Sequence, residues 1–357
     1  MKRLVEIHEI KPILDKTRPF TMVAQAALVD LALQVQHVLA ENIRGNFVEC
    51  GVWRGGAAFL MAELLRHFGV TDRKVWLFDS FEGLPSPDGI DGPAAMAYAK
   101  NAASSGEFQN CRASLEEVQR TATELGLKSY TIFVKGWFDK TLARNRDRVG
   151  DIALLRIDCD WYSSVRCCLD NLYDQVVNRG FVILDDYYTW DGCAIAVHEF
   201  LAKRTLSSRI ETLPSEGCHG PAVLRKGGVS WNWEYRVHLS AQEIAKFVQL
   251  SDTFILVDQG AFTSQISAGH RTIPFLERDG QYWGPPPNDA TAIHELERLR
   301  RAGAASIVFA WPAFWWLDYY SDFTQYLRSN FHCTLENERL VAFDLRRESG
   351  SSSSSGN

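Results

Sequence analysis

The chain has 357 residues, of which 46% are hydrophobic and 23% charged, a composition typical of a globular protein with room for two cores. A formal net charge of −6 argues against nucleic acid or an anionic membrane surface as the main partner. We expect no secretory signal and no membrane span, since no apolar run approaches about 20 residues. Eight cysteines without CxxC zinc spacing favour reduced thiols and a cytoplasmic location.

Short apolar runs alternate with amphipathic stretches along the first two thirds of the chain, which predicts parallel strands joined by helices. The expected strands are 46–50, 75–79, 131–134, 153–158, 181–185 and 221–225. The expected helices are 22–40, 57–68, 114–124, 163–177 and 194–203. The segment 84–111, rich in Pro, Gly, Ser and Ala, interrupts this pattern. An insertion of this length is more often a functional lid than a packed element.

A second α/β pattern follows Lys226-Gly227-Gly228. Its expected strands are 254–258, 306–310 and 340–345, and its expected helices are 290–301 and 317–328. The sequence thus predicts a first domain at 1–228, a smaller α/β accessory domain at 229–346 and a disordered Ser-rich tail at 347–357. The accessory domain carries no recognisable catalytic motif. Its Trp283, Trp311 and Trp315 fit either a sugar-stacking surface or an ordinary core, and the core is preferred.

The first predicted strand runs into the segment ECGVWRGG at 49–56 and then into a helix. Glycines at such a junction permit a tight turn and close approach of a ligand to main-chain N–H groups. The segment lacks the GxGxxG pattern expected of a nicotinamide-dependent oxidoreductase and the Lys-Ser/Thr ending of a P-loop. Glu49, which ends the strand, suits the ammonium or sulfonium group of S-adenosylmethionine and would repel a pyrophosphate.

Asp79 ends the second predicted strand, in the sequence LFDSFEGLP. In doubly wound folds an acidic residue at this position accepts hydrogen bonds from ribose hydroxyls. The alternative role is an N-cap for a following helix. With the glycine-rich turn before it, the ribose role is favoured.

Two neighbouring predicted strands each end in two carboxylates, Asp158 with Asp160 and Asp185 with Asp186. Their spacing fits one strand–helix–strand crossover, so all four meet at the carboxyl edge of the sheet. Four unpaired carboxylates repel one another, and hard oxygen ligands favour Mg²⁺, Mn²⁺ or Ca²⁺ over zinc. The alternative is that individual aspartates cap helices or form ion pairs with Arg54, Arg156 or Arg166.

The segments ECGVWRGG, LFDSFEGLP, VKGWFDKTL, RIDCDWYSS and GFVILDDYYTWDGC resemble, in this order, the macrocin/novobiocin-type O-methyltransferases. The resemblance runs from about residue 20 to 226. It implies a class I methyltransferase domain with a Rossmann-like seven-stranded sheet, followed by the smaller α/β domain. It also implies S-adenosylmethionine and Mg²⁺, or another hard divalent cation, as cofactors, and a sugar hydroxyl on a natural product as the acceptor.

The resemblance also implies a role for individual residues. The implied metal ligands are Asp158, Asp185 and Asp186, and the implied general base is Asp160. The implied cofactor-binding residues are Glu49, Gly51, Asp79, Ser80 and Trp137. Cys159 departs from the family pattern, which usually has a small residue such as glycine between the first two aspartates.

The expected reaction is methyl transfer to a hydroxyl, which metal coordination and a nearby carboxylate help to deprotonate. The expected partner is a small-molecule or glycan hydroxyl acceptor, and homo-oligomer formation stays open. One alternative is methylation of a catechol-like phenol. Another is a carbohydrate-binding scaffold with an inactive methyltransferase half, which the complete aspartate set argues against. Tyr187, Tyr188 and Trp190 fit either an aromatic wall for a sugar ring or plain core.

Overall fold

A computed structural model describes residues 7–105, 111–212, 220–228, 230–262, 266–267 and 269–348. The chain divides into two units, Met1–Asn232 and Trp233–Asn357. This division falls within the helix Trp231–Phe247, a little beyond the boundary predicted at residue 228. The last strand runs to Glu348, past the predicted start of the Ser-rich tail at 347. The rest of that tail lies outside the described residues.

A six-stranded sheet forms the centre of the first unit. Its strands are β1 (Asn46–Cys50), β2 (Val75–Asp79), β3 (Thr131–Lys135), β4 (Ile152–Ile157), β5 (Val176–Leu184) and β6 (Ala222–Arg225). Their order is β3-β2-β1-β4-β5-β6, with β1 to β5 parallel and β6 antiparallel to β5. The chain leaves β1 toward β2 and later returns to β4, so a topological switch point lies between β1 and β4. Ligands bind at such points in doubly wound folds.

The predicted seven-stranded sheet is thus six-stranded among the described residues. Beyond β6, Glu211 forms a single antiparallel bridge with Val223. Residues 213–219, which follow Glu211, lie outside the described part of the chain.

Eight helices surround this sheet in the part of the first unit that the structure describes. They are α1 (Ile7–Thr17), α2 (Gln25–Ala40), α3 (Gly56–His67), α4 (Gly92–Ser105), α5 (Leu115–Glu124), α6 (Phe138–Val149), α7 (Tyr162–Leu172) and α8 (Asp191–Lys203). The strand β4 is buried along its whole length, as expected of a parallel strand covered on both faces. Within the described residues, no helix is long and apolar enough to cross a bilayer.

Several helices of the first unit differ from the sequence-based expectation. The segment 84–111 contains the helix α4, and α1 and α6 form where no helix was expected. The helix predicted at 163–177 ends at Leu172, since Val176 is buried and begins β5 opposite Ile152. Branched apolar residues of this kind fit a buried strand well.

The second unit contains a separate five-stranded sheet and a two-stranded hairpin. Its strands are β7 (Thr253–Val257), β8 (Arg271–Pro274), β9 (Glu277–Arg278), β10 (Gln281–Tyr282), β11 (Ala304–Ala310), β12 (Phe331–Glu336) and β13 (Leu340–Glu348). Its helices are α9 (Trp231–Phe247), α10 (Asp289–Arg301), α11 (Trp315–Tyr319) and α12 (Ser321–Asn330). The sheet order is β12-β13-β11-β7-β8, and β9 pairs with β10.

The single helix predicted at 317–328 is interrupted at Tyr320, whose φ of −93° and ψ of 70° are not helical. Its buried hydroxyl donates a hydrogen bond to the Pro286 carbonyl at 2.6 Å, which holds the break in place. Of the three tryptophans considered for sugar stacking, Trp283 and Trp315 are 62% and 41% exposed. Trp311 packs against Phe262.

Candidate active site

The turn after β1 requires glycine at position 51. Gly51 has a φ of +88°, and a Cβ atom there would lie 1.6 Å from the Asp158 carbonyl oxygen. Only a residue without a side chain allows the ends of β1 and β4 to approach this closely. Gly51 therefore brings Glu49, at the end of β1, beside the aspartates that follow β4.

Asp79 organises the loop after β1. Its carboxylate accepts hydrogen bonds from the amides of Val52 at 2.6 Å, Trp53 at 3.2 Å and Phe81 at 2.6 Å. No helix begins directly after Asp79, so the N-cap alternative does not apply. Burial raises the pKa of Asp79, and its three backbone hydrogen bonds oppose that rise. Since each carboxylate oxygen carries two lone pairs, the group keeps further acceptor capacity.

A cleft lies over this loop and brings together four of the five residues predicted to bind the cofactor. These four are Gly51, Asp79, Ser80 and Trp137. The Ser80 hydroxyl is engaged within the loop, because it donates to the Gly83 carbonyl and accepts from the Glu82 amide. The Trp137 side chain is 42% exposed.

The fifth predicted residue, Glu49, lies deeper and pairs with Arg156. The buried Arg156 guanidinium donates to Glu49 Oε1 at 2.5 Å and to Asp158 Oδ2 at 2.6 Å, and it also bonds Asp185. The other oxygen of Glu49 is buried and has no hydrogen-bond partner among the described residues. Burial raises the pKa of Glu49 to about 8, although Arg156 partly opposes this.

The predicted aspartates meet as expected from their positions after β4 and β5. Asp158, Asp185 and Asp186 each offer a carboxylate oxygen, and these three oxygens lie within 4.8 Å of one another. Burial, reinforced by neighbouring carboxylates, raises the pKa of Asp158 to about 6 and that of Asp160 to about 7, and raises that of Asp186 well above its usual value. Three carboxylates, those of Glu49, Asp158 and Asp185, share the Arg156 guanidinium, and Asp160 and Asp186 add two further acidic groups to the same cleft.

Ion pairing with arginine and metal binding, the two roles considered for the aspartates, are compatible in the same side chains. Arg156 occupies one oxygen of Asp158 and one of Asp185, while a carboxylate has two oxygens to offer. Three hard oxygen donors with uncompensated charge suit a divalent cation such as Mg²⁺. The unpartnered oxygen of Glu49 likewise suits the amino group of S-adenosylmethionine.

The thiols near the site belong to the core. Cys159, between the two aspartates, is 3% exposed, and it packs with Cys168 and Cys193 in the apolar cluster beneath the sheet edge. Burial raises the pKa of Cys159 to about 12, so the group stays a neutral thiol. The residue that departs from the family pattern is therefore buried in the core. The seven cysteines among the described residues are free thiols, and Cys218 lies outside that part of the chain.

A second cleft contains the aspartates and Glu49. Trp190 lines it, and so does Tyr98 of α4, a residue that sequence reasoning missed. An aromatic side chain in an otherwise Ala-rich insertion was the available signal. Tyr187 and Tyr188 are absent from the described lining of this cleft, and the Tyr187 hydroxyl hydrogen-bonds His198 at 2.7 Å.

Comparisons with known proteins place this chain in a family. The model of the macrocin-O-methyltransferase (TylF) family matches residues 14–219. The chain is 36% identical over 203 residues to demethyldecarbamoylnovobiocin O-methyltransferase of Streptomyces niveus, covering 56% of the chain and 74% of that relative. It is 32% identical over 200 residues to mycinamicin III 3''-O-methyltransferase of Micromonospora griseorubida, covering 56% of the chain and 77% of that relative.

A solved structure agrees with these matches. The O-methyltransferase NovP superimposes with a TM-score of 0.52 at 33% identity, covering 58% of this chain and 82% of that one. The family match ends within the first unit and includes no residue of the second. The chain is an S-adenosylmethionine-dependent O-methyltransferase, and it belongs to the macrocin-O-methyltransferase (TylF) family.

Proposed function

We propose that the chain methylates a sugar hydroxyl in natural-product biosynthesis, with a divalent cation held at the aspartates. The observation that carries this proposal is the set of three carboxylate oxygens within 4.8 Å of one another, in a cleft that Asp160 also lines. A sugar acceptor is supported by a further relative, whose name specifies methylation of a rhamnosyl group. The chain is 36% identical over 198 residues to a 4'-O-methyltransferase of a rhamnosyl tetracenomycin from Streptomyces olivaceus, covering 55% of the chain and 73% of that relative.

The cofactor is assigned to the cleft above the turn after β1. In this proposal Glu49 binds the amino group of the methionine moiety through its unpartnered oxygen, and Asp79 accepts hydrogen bonds from the ribose. Gly51 permits close approach of the ligand to the backbone. Ser80 and Trp137 complete the walls of the cleft.

The cation is assigned to Asp158, Asp185 and Asp186. Such an ion, when bound, lowers the pKa of a coordinated hydroxyl and fixes its direction. Arg156 fixes two of these three carboxylates, so that the ligands are positioned before the ion binds. The lack of histidine among the three residues favours Mg²⁺ or another hard cation over zinc.

Asp160 is assigned as the general base. Its carboxylate takes the proton of the acceptor hydroxyl as that oxygen attacks the methyl carbon. The carbon–oxygen bond forms while the carbon–sulfur bond breaks, and the bonding electron pair stays on sulfur as S-adenosylhomocysteine leaves. No protein group forms a covalent bond, so catalysis depends on positioning and on the fixed charges of the site.

Substitution of the base tests this assignment. Asp160→Asn keeps the size and one acceptor oxygen of the side chain but removes its basicity, so turnover should fall by about 10² to 10⁴-fold. Binding of S-adenosylhomocysteine, measured by calorimetry, should be unchanged. Asp170→Asn, at a half-exposed carboxylate on α7, is the matched control. Normal turnover of Asp160→Asn would rule out the residue as the base.

An acceptor screen separates the sugar proposal from the catechol-type alternative. Labelled S-adenosylmethionine would be incubated with glycosylated antibiotics that carry free sugar hydroxyls and, in parallel, with simple catechols. We expect label in the glycosylated products, and the label should disappear with EDTA and return with Mg²⁺. Label only in catechols would contradict the sugar acceptor.

The second unit is proposed to be an accessory α/β domain without a direct part in methyl transfer. All nine residues assigned above to cofactor, cation and base lie in the first unit. The alternative role for the second unit is glycan binding, because the side chains of Trp283 and Trp315 are exposed and could stack on sugar rings.

A further inference from the structure

The carboxylate of Asp160 receives a hydrogen bond from a tryptophan. The indole Nε1 of Trp190 donates to Asp160 Oδ1 at 2.8 Å. Among the residues that the structure describes, no other side chain donates a hydrogen bond to this carboxylate. Because an indole N–H can only donate, it orients the carboxylate without competing for the proton that a base must accept.

The main chain of Asp160 is fixed separately. Its φ of +59° lies in the left-handed region, which is uncommon for residues other than glycine. Its amide donates to Asp186 Oδ2 at 3.0 Å. Asp186 therefore fixes the backbone at this position, and Trp190 fixes the direction of the side chain.

The indole of Trp190 is itself held by two aromatic rings. The ring of Tyr98 meets it edge-on at 5.5 Å, and that of Trp161 does so at 5.2 Å. Tyr98 belongs to α4, and Trp161 Nε1 donates to the Pro85 carbonyl at 2.8 Å. Both contacts connect the insertion 84–111 to the indole that contacts the base.

We propose that Trp190 is a positioning residue, whose N–H holds the Asp160 carboxylate in the direction needed to take the acceptor proton. Two residues of the insertion contribute, because Tyr98 contacts the indole and the Pro85 carbonyl holds Trp161, which also contacts it. This inference rests on the proposed role of Asp160 as the base. It gives Trp190 a part in proton transfer, in addition to any contact that its ring makes with a sugar.

Trp190→Phe tests the proposal, because it keeps an aromatic ring and removes the N–H. We expect kcat to fall by about 10- to 100-fold, while KM for the acceptor and the Kd for S-adenosylhomocysteine stay within about twofold. Trp76→Phe is the matched control. Trp76 is buried in β2, and its Nε1 has no partner among the described residues, so its replacement removes an indole but no hydrogen bond.

A double-mutant cycle shows whether Trp190 acts through Asp160. Asp160→Glu keeps a base but moves its carboxylate away from the indole, so adding Trp190→Phe to it should cost less than about threefold. A full 10- to 100-fold further loss would overturn the proposal, as would an unchanged kcat of Trp190→Phe. If Asp160→Asn turns over normally, the proposed base itself is wrong, which is a distinguishable failure.

Discussion

At the scale of single residues, Arg156 is the centre of the site. It lies within β4, two residues before Asp158, and its guanidinium contacts Glu49 within β1 as well as carboxylates that follow β4 and β5. Sequence spacing was sufficient to predict which aspartates meet, because strand ends at one edge of a parallel sheet are neighbours. It could not decide between ion pairing and metal binding, since that depends on which oxygen faces the guanidinium.

Replacing Arg156 should destabilise the protein more than replacing a surface arginine. Arg156→Met leaves Glu49, Asp158 and Asp185 without their buried counter-charge, which should cost about 3–5 kcal/mol of unfolding free energy. Arg44→Met is the control, since Arg44 is 80% exposed in its ion pair with Asp151. Denaturant unfolding measures both variants, and equal losses would contradict the central role of Arg156.

The raised pKa values predict a pH-dependent effect of the cation. Burial raises the pKa of Asp158 to about 6 and that of Asp160 to about 7, from 3.8. In EDTA these groups therefore contribute stability that is fully present below about pH 4 and is lost as the pH rises through about 6 to 7. Because a cation binds the deprotonated carboxylates, Mg²⁺ should raise the unfolding temperature more at about pH 8 than at about pH 5.

Thermal unfolding with EDTA and with Mg²⁺ at both pH values measures this dependence. Sodium chloride of matched ionic strength is the control for screening. A larger Mg²⁺ effect at the lower pH would contradict the assignment of the cation to these aspartates.

At the scale of elements, the turn between β1 and α3 places Glu49 beside the aspartates. The strands around it were predicted well, because buried parallel strands appear as continuous apolar runs. The helices α4 and α6 were missed for different reasons. The segment that contains α4 is rich in Gly, Pro, Ser and Ala, and α6 buries only Thr141, Leu142 and Val149 on an otherwise polar helix.

The turn itself can be tested with two glycine substitutions. Gly51→Ala places a Cβ atom 1.6 Å from the Asp158 carbonyl oxygen, in a backbone with φ of +88°. Gly69 also has a positive φ, of +67°, but a Cβ atom added there has no atom within 4 Å. Gly69→Ala therefore measures the cost of the backbone strain alone, which is of order 1–3 kcal/mol. We expect Gly51→Ala to lose more unfolding free energy and also to weaken S-adenosylhomocysteine binding. Equal effects of the two substitutions would contradict the close packing of β1 against β4.

At the scale of the whole molecule, the family match and the assigned chemistry both lie in the first unit. The nine residues proposed for the site lie at or shortly after the carboxyl ends of strands, as expected from the sequence, and their roles stay predictions. Trp190 and Tyr98 could not be assigned in this way, since their contact depends on how the insertion packs over the sheet edge. The second unit was predicted as α/β, but its strands β8, β9, β10 and β12, its helix α9 and the break at Tyr320 were not predicted.

In the proposed site, one cation and the cofactor bind at the carboxyl edge of β1, β4 and β5. Calorimetric titration of S-adenosylhomocysteine, and then of Mg²⁺, into the EDTA-treated full chain tests this arrangement. We predict cofactor binding in the native chain and in Asp185→Ala, and a single Mg²⁺ site that Asp185→Ala loses and the control Asp170→Ala keeps. Mg²⁺ binding that survives in Asp185→Ala, or no binding of S-adenosylhomocysteine to the native chain, would show that the proposed site is wrong.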